Sequence, residues 1–318
     1  MIHIGLVGEG LMARVYARQC SAIPGIEVTT VGGTDGSDDI TQYVSGTVYN
    51  DVQELCNDDP DVVFICSPPD SHRSVVKTAA DRGIDVFCHP PIASTVEEAN
   101  TIGDIARDAG IVFVPGHVCR VSPEHINAKE HIDDEAIGSV GNARTFRQLS
   151  TDHWIASRDR EKDVIFGLAF SDIDFLRWTC GAVKRVFARQ AIHNGNAYAL
   201  ITLRFANAVG HIDARLSKRS DLSFVRRFEL AGDDGLIEYD SEESSPVTTT
   251  RAAGDSSDGP PFDTILPKDP HRLLLEHVRD CVERDAEPIV SIDSSIESLR
   301  VGLAVLASIE QGTPVDIK

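Results

Sequence analysis

The segment Gly8-Glu9-Gly10-Leu11-Met12-Ala13 carries the clearest chemistry in the chain, standing between an apolar strand pattern, Ile4 to Val7, and a helical one. In a strand-to-helix turn of this GxGxxA form, Gly8 allows the tight turn and Gly10 lets the backbone approach a pyrophosphate. Ala13 permits close packing of helix on sheet, while the free N–H groups at the helix start, around Leu11 and Met12, face the anion. The spacing predicts a dinucleotide site. A carboxylate that hydrogen-bonds the adenosine ribose ordinarily ends the second strand, about 20 residues further on. Here Val31 is followed by Gly32-Gly33-Thr34-Asp35, and Gly33 occupies the usual acidic position. Either Asp35 takes over the ribose hydroxyls, which favours NAD, or the short turn leaves room for a 2′-phosphate, which favours NADP. No Arg or Lys stands nearby to bind that phosphate, so the balance leans to NAD.

A second group lies where two further strands end. Val62 to Cys66 runs into Ser67-Pro68-Pro69-Asp70-Ser71-His72, and Asp85 to Cys88 runs into His89-Pro90-Pro91. In a parallel sheet both stretches emerge at the carboxyl edge, where ligands of doubly wound folds bind. Ser67, Pro68, His72 and His89 are therefore expected beside the cofactor. His117 follows the sixth strand at the same edge. Arg120 either grips an anionic or hydroxylated substrate through its planar fork or ties two domains together.

These residues need a frame. From residue 2 to about 118, short apolar strands alternate with helical patterns, which predicts a parallel, doubly wound sheet. After a helix near Pro123 to Ile132 come long strands with polar/apolar alternation: Asn142 to Leu149, Arg185 to Ile192, Ala197 to Phe205, Val209 to Leu216, Arg226 to Ala231 and Leu236 to Tyr239. Such a run predicts an antiparallel sheet in a second domain. A helix over roughly Val164 to Cys180 is inserted between the first two of these strands. Arg251 to Lys268, rich in Gly, Pro, Ser and Asp, reads as a mobile surface loop, and helices at about Pro270 to Arg284 and Ser294 to Gln311 close the chain. The expected division is 1–118 and 119–318.

Taken together, several features resemble the Gfo/Idh/MocA oxidoreductases: the Gly8 to Ala13 loop, Ser67-Pro68 with His72, the Arg120-x-x-Pro123 step, Ser171 to Trp178 on the inserted helix, Phe228 to Gly232 with Gly235 to Ile237, and Gly312 to Val315. The resemblance implies an α/β protein with an N-terminal Rossmann domain and a C-terminal α+β domain whose open, mainly antiparallel sheet commonly forms a homodimer or homotetramer interface. It also implies hydride transfer between NAD or NADP and a small sugar-, polyol- or carbonyl-type substrate. Members usually carry Glu-Lys-Pro after the fifth strand, and an Asp and a His one turn apart on the inserted helix. This chain has His89-Pro90-Pro91, with Gly167 and Ser171 at the other two positions. All three usual catalytic side chains are missing.

Two readings follow. In one, the acid–base group has moved: His89 is the leading candidate, because imidazole suits proton transfer near neutral pH. Asp163, four residues before Gly167, and Lys162 are the others, with Ser171, Asp172, His117 and Arg120 toward the substrate. In the other reading the chain is a degenerate relative that binds a dinucleotide or sugar-like ligand as a sensor or scaffold.

Composition bounds the rest. The 318 residues include 32 Asp and 18 Glu against 23 Arg and only 7 Lys, a net charge of −20. With no Lys/Arg run, the chain would be repelled by nucleic-acid phosphates. The Asp-rich, Lys-poor bias matches a halophilic protein, whose surface carboxylates hold hydrated cations while self-repulsion is screened. Seven Cys without a CxxC pair argue against a disulfide framework and a zinc site, so no metal is expected. The longest apolar runs, such as Val301 to Ile309, are too short to span a membrane. The N-terminus opens on a strand pattern rather than a signal peptide, and the expected location is the cytoplasm.

Overall fold

The computed structural model describes residues 1–32, 39–150, 163–219, 221–243, 247–251, 256–258, 269–284 and 286–317. The chain divides into two compact units: 1–118 with 268–299, and 119–267 with 300–318.

In the first unit six parallel strands are ordered β3-β2-β1-β4-β5-β6. They are β1 (Ile2–Val7), β2 (Ile26–Gly32), β3 (Thr47–Tyr49), β4 (Val62–Ile65), β5 (Asp85–Cys88) and β6 (Phe113–Pro115). All four residues of β4 are buried, as expected where helices cover both faces of a sheet. Helices α1 (Leu11–Ser21), α2 (Val52–Asn57), α3 (His72–Ala80) and α4 (Val96–Ala109) connect the strands. Local chemistry sets their ends. Thr95 caps α4 by accepting from the Glu98 N–H at 3.1 Å, and Gly110, at φ 68°, stops it in the left-handed conformation. The order reverses between β1 and β4, so the loops after β1, β4 and β5 converge at one stretch of the carboxyl edge.

The second unit is built on β7 (Val140–Ser150), β8 (Arg185–His193), β9 (Asn196–Arg204), β10 (Val209–Ser217), β11 (Val225–Gly232), β12 (Gly235–Asp240), β13 (Val247–Arg251), β14 (Ser256–Asp258) and β15 (Val315–Asp316), ordered β14-β13-β12-β11-β7-β10-β9-β8-β15. The sheet is mainly antiparallel, as expected, with one parallel pairing that makes it mixed: β7 runs parallel to β10, from Asn142 beside Val209 to Ser150 beside Ser217. Hydrophobic alternation fixes which face of a strand is buried but not its direction, so this pairing left no trace in the pattern. The Arg251 to Lys268 stretch also differs from a uniform loop. Ser256–Asp258 forms a strand against Thr248 to Thr250, while 252–255 and 259–268 lie outside the described residues.

Alternation is clear in β9. Ala197, Ala199, Ile201 and Leu203 are buried, whereas Tyr198 and Leu200 stand exposed at 41% and 62% on the other face. Helix α5 (Pro123–Asp133), a π-helical turn over Asp163–Ala169 and helix α6 (Phe170–Cys180) belong to this unit. Helix α7 (Pro270–Arg284) belongs to the first, and α8 (Ile292–Gln311) begins in the first and ends in the second. The predicted Val164 to Cys180 helix thus exists as two forms. In the π-helical part each N–H reaches back five residues rather than four, so residues four apart there fall short of a full turn. The shortfall is small, and by backbone register Asp163, Gly167 and Ser171 stay on roughly one side. Among the described residues, no helix is long and apolar enough to cross a membrane.

Candidate cofactor edge and its supporting ion pairs

At the carboxyl edge of the first unit, the two loop glycines differ in what holds them. Gly8 lies at φ 120°, and a Cβ there would sit 2.7 Å from the Cys66 carbonyl carbon and 2.8 Å from the Ser67 nitrogen. The fold itself demands glycine at position 8. Gly10 is different: its φ of −68° is open to any residue, and no atom lies within 4 Å of its would-be Cβ. It is the N-cap of α1, with no side chain capping the helix and no acidic residue in the first turn. Leu11 and Met12 are half-buried and Ala13 is fully buried, the close helix–sheet contact expected of that position. The open cradle and uncapped helix start fit a pyrophosphate. Asp35 lies outside the described residues.

The loops after β4 and β5 are tied together from below. His72 is 1% exposed. Its Nε2 is 2.8 Å from the Ser67 carbonyl, and its Nδ1 is 3.1 Å from the Ile92 carbonyl and 3.4 Å from Cys88 Sγ. Burial lowers its pKa, and a neutral ring has a single N–H. The shorter contact assigns that proton to Nε2, donating to Ser67, and leaves Nδ1 to accept from the Cys88 thiol, which burial keeps protonated. His72 therefore braces the Ser67-Pro68 turn from inside. Ser67 Oγ lies 2.6 Å from Ser71 Oγ, and Pro68 is exposed. His117 is likewise buried, with Nε2 2.8 Å from Ser295 Oγ.

His89 is placed otherwise. It is half-buried, its Nδ1 is 3.2 Å from the Tyr16 hydroxyl, and it precedes the cis Pro90–Pro91 peptide bond. Burial, with His271, His72 and His117 nearby, lowers its pKa to about 3. A ring that stays neutral across the physiological range is a poor proton acceptor but a competent hydrogen-bond donor.

In the second unit, two residues expected at the substrate are engaged in buried ion pairs. Arg120 donates through Nε to Asp174 Oδ2 at 2.7 Å and through Nη2 to Oδ1 at 3.0 Å, with its guanidinium 4.5 Å from the Trp178 ring centroid. Arg147 binds Asp172 in the same forked manner, both bonds at 2.9 Å. Both arginines and both aspartates are under 9% exposed. The fork of Arg120 is thus committed to α6, and Asp172 faces the interior. Ser171, immediately before Asp172, is half-buried and Gly167 is exposed. Gly302 of α8 allows the π-turn to approach, since a Cβ there would lie 2.7 Å from the Phe166 ring. Lys162 and the side chain of Asp163 lie outside the described residues.

Beneath α6, Cys119, Glu124, His125 and Arg147 form a further charged group. Burial pushes the Cys119 thiol up, but His125 and Arg147 outweigh it and bring its pKa below the usual value. Burial likewise opposes charge on His125, yet Cys119 and Glu124 raise its pKa to about 9. Glu124, paired with Arg226 at 2.8 Å, is lowered to about 2 despite its burial, by His125 and Arg226. Sequence reasoning missed Tyr16, Arg147 and Asp174. Tyr16 carried one signal, the i, i+3, i+4, i+7 series Ala13, Tyr16, Ala17, Cys20, which marks a buried stripe without saying what the hydroxyl meets. Among the described residues, no group of three or more His, Cys, Asp or Glu is arranged to hold a metal ion.

Comparison with known proteins fits this geometry. The Gfo/Idh/MocA profile for the oxidoreductase family's NAD-binding Rossmann fold matches residues 2–117, and the profile for its C-terminal alpha/beta domain matches 129–317. The chain is 25% identical to scyllo-inositol 2-dehydrogenase (NAD(+)) of Bacillus subtilis strain 168, over 99% of this chain and 96% of that protein. It is 23% identical to D-xylose 1-dehydrogenase (NADP(+)) 2 of Haloferax volcanii, over 99% and 98%. The solved structure of scyllo-inositol dehydrogenase from Lactobacillus casei, with NAD(H) and scyllo-inositol bound, shares the fold with a TM-score of 0.80 at 18% identity, covering 100% of this chain and 99% of that one. With both domain profiles matched and the glycine loop at the switch point of the parallel sheet, the chain belongs to the Gfo/Idh/MocA oxidoreductase family and carries its NAD-binding Rossmann domain.

Proposed function

We propose that the protein is an NAD(P)-dependent oxidoreductase of a small sugar-, polyol- or carbonyl-type substrate, with NAD favoured, and that it works without the usual Lys, Asp and His. The observation that carries the reading is Gly10: neither its φ of −68° nor any neighbour requires glycine, so the open space is accounted for by a group approaching from outside. The curated relatives point to the substrate class, being named for inositol and xylose.

Gly8, Gly10, Leu11, Met12 and Ala13 would hold the pyrophosphate, with the Ser67-Pro68 turn, braced by His72, walling the same edge. A nicotinamide bound there supplies or takes the hydride. His89 stays neutral and donates a hydrogen bond to the substrate oxygen, which polarises a carbonyl for reduction; the proton that completes the alcohol comes from solvent. Held neutral, His89 acts as a hydrogen-bond donor to that oxygen rather than as the proton acceptor, and in either direction the hydroxyl proton exchanges with solvent. Ser171, on a helix held by two ion pairs, is the candidate substrate contact of the second unit, by its place in the family pattern.

The open face of the second sheet supports a homo-oligomer. It carries Phe187, Tyr198 and Leu200, all at least 36% exposed, and a depression of 590 Å³ lined by residues including Arg144, Phe146, His211 and Arg227. The test is direct: titrate NADH and NADPH in molar KCl, then assay turnover on polyols, sugars and conjugated carbonyls. Failure of both cofactors to bind at millimolar concentration would overturn the proposal. Binding without turnover on any of them would favour the sensor or scaffold reading.

A further inference from the structure

We infer that Tyr16 is the positioning residue of His89: its phenol donates to Nδ1, fixes the neutral ring with its proton on Nε2, and so presents an N–H at the carboxyl edge. Tyr16 is fully buried on α1, one turn after the glycine loop. Its ring meets those of Phe87, His271, His89 and Phe64 edge-on, with centroids 5.1 to 6.2 Å apart. Burial also holds the phenol protonated, so it has a hydrogen to donate. Among the described residues the one hydrogen bond found for that hydroxyl is to His89 Nδ1, at 3.2 Å. Were Nδ1 protonated, it would donate to the phenol oxygen and leave a buried O–H with no acceptor, the costly arrangement. No hydrogen bond from the described residues reaches His89 Nε2.

The groups facing this pair act on both partners: beside burial, the thiols and Asp269 keep the Tyr16 phenol protonated, while the three histidines keep the His89 ring neutral. They are Cys20 on α1, Cys66 after β4, Cys88 on β5, His72 on α3, His117 after β6, and Asp269 with His271 at the start of α7. The carboxylate nearest the pair is already engaged, because Asp269 accepts from the Gln19 amide at 2.6 Å and lies 3.0 Å from His271 Nδ1. The pair resembles a ring tautomer set by the partner of its other nitrogen. The use of Nε2–H toward a substrate oxygen rests on the oxidoreductase reading, whereas the tautomer does not.

The test is imidazole nitrogen NMR on the full-length protein labelled with 15N-histidine, with His89 assigned by its loss in His89→Gln. The expected wild-type result is an unprotonated Nδ1 and a protonated Nε2, unchanged from pH 5 to 9. In Tyr16→Phe the fixed tautomer should give way to a mixture, and the onset of protonation should move up by on the order of 1 pH unit as the donor to the neutral form is lost. A protonated Nδ1 in the wild type overturns the inference, and this holds even if the variant does not fold. An unchanged His89 spectrum in folded Tyr16→Phe also overturns it. Cofactor titration in the same samples separates the two ideas: Nε2–H without any NADH or NADPH binding defeats the oxidoreductase reading alone.

Discussion

Alanine at each of the two loop glycines should have opposite effects. Gly8→Ala forces a side chain onto a residue at φ 120°, with its Cβ 2.7 to 2.8 Å from backbone atoms of Cys66 and Ser67. The backbone strain costs about 1–3 kcal/mol, and the collision adds to it because backbone, unlike a side-chain tip, has nowhere to swing. Gly10→Ala meets neither problem. Its φ is −68° and its surroundings are open. Replacing glycine by alanine at an N-cap costs up to about 1 kcal/mol, while the reduced freedom of the unfolded chain returns about 0.4–1 kcal/mol. The net change should stay within about 1 kcal/mol. Cofactor binding should reverse the order of damage, since the new methyl occupies the approach to the pyrophosphate. A tenfold or greater loss of affinity, about 1.4 kcal/mol, is expected for Gly10→Ala. Thermal unfolding by circular dichroism and NADH binding by calorimetry, both in molar KCl, measure the two quantities. If Gly10→Ala binds NADH and NADPH as the wild type does, the argument from the open cradle is refuted. If it unfolds as readily as Gly8→Ala, the distinction between the two glycines fails.

Other outcomes follow from the ion pairs and the surface. Asp172→Asn leaves the Arg147 guanidinium buried without its countercharge and should cost about 3–5 kcal/mol; Asp81→Asn, which breaks the exposed pair with Lys77, should cost under about 1 kcal/mol. Denaturant titrations giving the two similar values would contradict the burial argument. Glu124 has a folded pKa lowered from 4.5 to about 2, so its contribution is present above pH 4.5 and is lost as pH falls through about 2. The stability gap between wild type and Glu124→Gln should therefore reach about 3 kcal/mol near neutrality and shrink below pH 4.5; a gap that does not change between pH 6 and 2.5 would count against the pairing. The net charge of −20 implies that unfolding shifts to lower temperature as KCl falls from molar to about 0.1 M, where the Debye length grows from about 3 to about 10 Å. A salt-independent midpoint would count against the high-salt reading.

What the sequence revealed was what repeats or sits within a few residues. The Gly8 to Ala13 loop, the alternation of strands and helices before residue 118, and the in/out pattern of Ala197 to Leu203 are local signals, and each corresponds to an element in the structure. Long-range pairing was invisible. Arg120 meets Asp174 across 54 residues and Arg147 meets Asp172 across 25, and nothing in the segment Ser171-Asp172-Ile173-Asp174 says which arginine each carboxylate will find. His72 illustrates the same limit. Its place after a strand suggested the cofactor, yet a ring at a carboxyl edge can turn toward a ligand or back into the loops, and only the Ser67 carbonyl and the Cys88 thiol decide the matter.

The two arginine–aspartate pairs have a consequence for the helix they grip. Asp172 and Asp174 are two residues apart, so they leave α6 on nearly opposite sides of its axis, and each is seized by a rigid planar fork. The helix can neither roll nor slide without breaking a buried ion pair, and its angular setting is independent of whatever side chain stands at position 171. Ser171 thus sits on a keyed shaft: the chemistry offered there can be exchanged while its aim is preserved. Ser171→His would present an imidazole along the direction the serine now takes, so substitution at a single position changes the group displayed without changing its orientation.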